Sequence, residues 1–144
     1  METTNSLSSR ALQYYVIARK WGSDLEFYKF ETGFLRTLLD DYYFNVQHKD
    51  GRADVLELNR ELMKLDADKN QLEKALDEQI RHLELMSEDV VPEDVSWLAG
   101  KQIRLEYMVT NIFSEYKELK KKIFCFLQKP GSQNNLVTNM FLPN

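Results

Sequence analysis

Histidine and cysteine, the side chains best suited to metal ligation or nucleophilic attack, are sparse in this chain. Of the two histidines, His82 follows Glu78 by four residues and precedes Glu84 by two, while His48 lies near a predicted turn. A bundle that holds a di-iron or di-manganese centre needs Glu-x-x-His pairs projecting inward from facing helices. Here the residue three before His82 is Gln79, an amide where that chemistry requires a carboxylate. Glu78 and His82 are therefore expected as a surface pair one helical turn apart. No metal and no other cofactor is expected.

Nucleophilic chemistry is no better supplied. The single cysteine, Cys125, lies among Phe124, Phe126 and Leu127, a setting in which a thiol acts as a small hydrophobe. Lys120, Lys121 and Lys122 precede it. Such a cluster beside aromatics can sit on an anionic membrane or nucleic acid, but lysines in a last helical turn also complement the dipole. The dipole reading is the one adopted. With no glycine-rich phosphate loop, nucleophile elbow or zinc spacing in the chain, no catalytic residue is assigned.

Three long helices must carry these residues. Apolar side chains recur at alternating steps of three and four in three lines, from Leu7 to Val46, from Val55 to Val90 and from Val95 to Phe126. A mean step of about 3.5 keeps each line on one seam of a helix, so the helices are expected to pack lengthwise on one another. The predicted helices cover about 6–47, 53–88 and 92–129. Asn5 or Ser6 is the expected cap of the first, and Gly51 its left-handed stop. Gly22 and Gly33 weaken that helix but leave its seam in phase. Pro92 breaks the chain after Val91 and opens the third helix, with Glu93 and Asp94 at the positive end of its dipole. Short links force neighbouring helices to run in opposite directions. The fold class is therefore all-α: an elongated antiparallel (up-down-up) bundle of three long helices with coiled-coil-like seams, completed into a larger bundle by dimerisation. Residues 1–129 form a single domain, and the tail 130–144 is expected to be flexible or folded back. The layout resembles spectrin-type repeats in general architecture only, with no motif that assigns a family.

Two features exceed what the seams need. Thr32, Lys69, Gln79 and Gln102 interrupt them, and counting back from the turns aligns position 32 with 69 and 69 with 116. Thr32, Lys69 and Tyr116 form a candidate polar core layer, with Glu31 or Glu115 available to neutralise the lysine. A polar seam residue of this kind lowers stability and fixes register. On the other side of the first helix Phe27, Phe30 and Phe34 fall at i, i+3 and i+7, roughly in line with Val16 and Phe44. They form a candidate interaction face, because a contiguous aromatic stripe needs a cover.

Composition limits the function classes. With 144 residues the chain fits one domain and can bury a core without staples. The net charge of −4 is uneven: residues 50–91 hold twelve acids and six bases, and residues 92–144 hold five acids and seven bases. That sign argues against a nucleic-acid binder, where a basic stripe should dominate. No apolar run approaches the ~18 residues of a membrane span, and the lone cysteine fits a reducing, cytoplasmic setting. The expected function is non-enzymatic: an interaction or scaffold protein that contacts a protein partner or itself as a homodimer through a helix face. The rival is a regulatory or small-ligand-binding bundle with its site at the mid-bundle polar layer.

Overall fold

A computed structural model describes residues 7–45 and 49–128, the side chains of Lys49 and Asp50 excepted. It is an all-α fold of three helices packed against each other: α1 (Ser9–Asn45), α2 (Lys49–Ser87) and α3 (Val95–Leu127). The expected caps Asn5 and Ser6, and the tail 130–144, lie outside the described residues.

The helix ends differ from the sequence expectation, each for a local reason. Ser8 caps α1: its Oγ accepts the Ala11 backbone N–H at 3.2 Å, and its carbonyl accepts the Leu12 N–H at 2.9 Å. Gly51 is not a stop for α1 but lies in the first turn of α2, where no completed ladder is interrupted. At the other end α2 stops before the Val91-Pro92 step. The Val90 N–H reaches the Leu85 carbonyl at 2.9 Å and the Asp89 N–H reaches Met86 at 3.1 Å. With Asp89 at φ 60°, this is the paired closure of a Schellman motif, built on an aspartate where glycine is usual. Pro92 is not the first residue of α3. That helix starts at Val95 behind Asp94, whose carboxylate accepts the Trp97 N–H at 3.1 Å.

Inside the helices, burial follows the seams. Ala11, Ala18, Leu25, Thr32 and Leu39 on α1 are buried at a constant spacing of seven. So are Val55, Leu62, Lys69, Leu76 and Leu83 on α2, and Leu98, Leu105, Ile112, Leu119 and Phe126 on α3. Each fully buried leucine contributes about 1.5–3 kcal/mol relative to an exposed one. Val90, counted at the end of the α2 seam, is instead exposed, because the chain has already left the helix.

The chain divides into two compact units, and each helix contributes to both. The first holds Met1–Phe27 and Asp68–Ile112. Its core joins Ala11, Leu83, Met86 and Leu98, with Leu7, Tyr14, Tyr15 and Val91 packed around them. Here the Glu93 carboxylate accepts the Ser8 backbone N–H at 3.0 Å, tying the segment before α1 to the segment before α3. The second unit holds Tyr28–Ala67 and Phe113–Asn144. Its helices are joined by ring contacts, Tyr28 to Phe113 at 4.6 Å and Tyr42 to Phe126 at 4.9 Å. Ion pairs from Arg36 to Asp66 and from Lys122 to Glu61 add to them.

Candidate interaction face and polar layer

Because the buried positions of α1 lie on one side, its remaining aromatics are left at the surface. Phe27 closes the α1 segment of the first unit and is 59% exposed. In the second unit Phe30 is 78% exposed, Phe34 37% and Phe44 80%. At 100° per residue Phe34 and Phe44 fall about 40° to either side of Phe30, so the three share one helix face. Phe30 and Phe34 lie one turn apart and form an exposed aromatic pair, while Phe44 stands about 15 Å further along the same face, beyond the exposed Thr37 and Asp41.

The three residues of the predicted polar layer are all buried. Lys69 belongs to the first unit, and Thr32 and Tyr116 to the second. Thr32 satisfies its hydroxyl within its own helix, donating to the Lys29 carbonyl at 3.1 Å. Tyr116 packs its ring edge-on to Tyr28 at 4.4 Å and donates its hydroxyl to the Glu31 carboxylate. Glu31 also receives the Lys120 ammonium at 3.3 Å. Burial first, and then the bond to the Glu31 carboxylate and its charge, push the Tyr116 phenol well above the ordinary tyrosine range. A neutral phenol and an ammonium, both from α3, thus meet one carboxylate from α1.

Lys120 was not legible as part of this site. The dipole reading of the Lys120–Lys122 run does not hold, because α3 continues to Leu127 and carries no base in its last turn. Instead Lys120 reaches Glu31 and Lys122 reaches Glu61 at 3.1 Å. The one sequence signal was the four-residue step from Tyr116 to Lys120, which places both on one face. Cys125 is likewise not packed among its apolar neighbours: Ile123, Phe126 and Leu127 take the buried side and leave the thiol exposed.

In the first unit His82 stacks on Trp97, with ring centroids 4.3 Å apart and planes at 36°. The Lys101 ammonium sits 5.3 Å from the centre of the same indole. Spacing along one helix pointed His82 toward Glu78, whereas its ring partner comes from α3. Buried below are the amides of Gln79 and Gln102, where Gln79 Nε2 donates to Gln102 Oε1 at 3.3 Å.

Among the described residues no group of three His, Cys, Asp or Glu side chains is placed to hold a metal ion. None of the described helices is long and apolar enough to cross a membrane. Comparison with protein-family models, curated proteins and solved structures finds no match for the chain.

Proposed function

We propose that this protein is a non-enzymatic interaction or scaffold module that works through the outer face of α1, with a second copy of the chain as its partner. The observation that carries this is the exposure of Phe30 and Phe44 on a helix whose other side already carries the buried Thr32, Leu35 and Leu39. Aromatic side chains bury 150–250 Å² each and dominate interface energetics where they are covered. A second copy suits the face because residues 1–49 hold six acids and six bases, so like faces meet without net charge repulsion.

The reading includes an antiparallel, up-down-up arrangement with coiled-coil packing. Partner order within the second unit supports it: Arg36 on α1 meets Asp66 on α2, while Tyr43, further along α1, meets Arg52, earlier on α2. The constant seven-residue spacing of buried positions is what knobs-into-holes packing demands. Placement in a reducing compartment such as the cytoplasm rests on the lone cysteine, whose thiol is exposed.

Light scattering tests the assembly. The chain should show twice its 17.1 kDa mass, and Phe30→Glu with Phe44→Glu should halve the observed mass with helicity retained. A wild-type monomer, or a dimer indifferent to both substitutions, overturns the α1 contact.

A further inference from the structure

The first unit contains a cleft of about 760 Å³ between α2 and α3. Its lining runs along α2 from Gln71 to Leu85, about 21 Å at 1.5 Å per residue. The floor holds Leu105 and the Gln79 amide, both buried, with Leu85 and Met108 half-buried. One end is walled by the stacked rings of His82 and Trp97.

The charge on the rim is unexpected for this chain. Arg81, Lys101 and Arg104 line the cleft, all exposed, against the single carboxylate of Glu78. Among the described residues neither Arg81 nor Arg104 forms an ion pair. Arg81 and Arg104 are thus not taken up by carboxylates, and Lys101 meets, among those residues, only the Trp97 indole, in a protein whose net charge is −4. The second unit also has a cleft between the same two helices, of about 950 Å³, and its lining is the reverse. There Asp54, Glu57, Glu61, Glu115 and Glu118 outnumber Lys64, Lys121 and Lys122. Packing two helices side by side thus does not by itself make a cationic groove; these particular side chains do.

We propose that the Arg81–Lys101–Arg104 cleft is a docking site for an acidic amphipathic helix from a protein partner. Its apolar face would lie on the half-buried Leu85 and Met108, and its carboxylates would face Lys101 and Arg104 on α3 and Arg81 on α2. An elongated cleft between two helices, with apolar side chains in it and charged residues on both edges, is the form of a groove that takes a helix. The rim cations supply charge complementarity, which sets specificity and on-rate. The length of the cleft and the exposure of its rim favour a helix over a small molecule, which needs most of its own surface enclosed.

The test uses two labelled synthetic 18-residue helices with the same leucine seam, one flanked by glutamate and the other by lysine. Fluorescence anisotropy with the full-length protein at low salt should show the glutamate helix binding at least tenfold more tightly. Arg81→Glu with Arg104→Glu should abolish or reverse that preference while circular dichroism stays unchanged, since both residues are exposed. Phe30→Glu should leave it intact, which separates this cleft from the α1 face. Equal binding of the two helices, a preference that survives the charge reversal, or one lost with Phe30→Glu overturns the proposal. Displacement of the glutamate helix by one equivalent of 8-anilinonaphthalene-1-sulfonate also overturns it, in favour of a site for small aromatic anions.

Discussion

Gln79 and Gln102 face each other in the interior of the first unit, with the Gln79 amide donating to the Gln102 carbonyl oxygen at 3.3 Å. Both are buried, and Gln102 Nε2 makes no hydrogen bond. The seam thus carries one shared bond and one unmet donor where leucines would pack.

Single truncations set against a paired replacement should expose this asymmetry. Truncating either amide alone, as Gln79→Ala or Gln102→Ala, strands its partner and should cost about 1–3 kcal/mol. Replacing both with leucine should be neutral or stabilising, because no buried polar group is left. Urea midpoints measure the stability, and light scattering measures the assembly. Unchanged mass in the double leucine variant would show that the pair does not set the oligomeric state.

Asp89 at φ 60° sits where a side chain is strained, and glycine is the residue this closure prefers. Asp89→Gly should raise stability by roughly 0.5–1 kcal/mol. Asp89→Val should lower it by about 1–2 kcal/mol, since a β-branched residue tolerates the left-handed region least. Thermal unfolding of the two variants should therefore move in opposite directions from the wild type.

Gly22, Gly33 and Gly100 lie within helices, and a Cβ added at any of them meets nothing within 4 Å. Alanine at each should stabilise by about 0.4–1 kcal/mol, through helix propensity and a less flexible unfolded chain. The effects should add, as the sites share no partner. A triple variant that unfolds at a lower urea concentration than the wild type would contradict the helical assignment there.

Tyr116 carries a folded-state pKa above its unfolded value, so its contribution to stability is fully present below about pH 10. That contribution falls away as the pH climbs from the unfolded pKa toward the higher folded one. Absorbance at 295 nm should show one tyrosine ionising only with unfolding. In Tyr116→Phe the alkaline loss of stability should be shallower, with Glu31 still held by Lys120.

The seven-residue spacing was legible from the sequence because buried side chains on a helix must recur with the helical period. The match to burial is close on α2 and α3, whereas on α1 the aromatic seam positions Tyr14, Trp21, Tyr28 and Tyr42 are only half-buried. Helix ends were less legible. The caps at Ser8 and Asp94 and the closure at Asp89 depend on backbone geometry that many polar residues could have supplied. The aromatic face of α1 was visible as a surplus over the seam, since period and residue type suffice to find it.

What the sequence alone determined is therefore the number of helices, the faces they bury and the aromatic surplus on α1. All of these follow from local periodicity and residue type. Tertiary structure alone decided that Glu31 serves Tyr116 and Lys120, that His82 stacks on Trp97, and that Arg81, Lys101 and Arg104 share one cleft. The physical reason is that such pairings join residues from different helices. Period fixes which face a side chain takes, whereas the side chain it meets depends on how two helices align along their length.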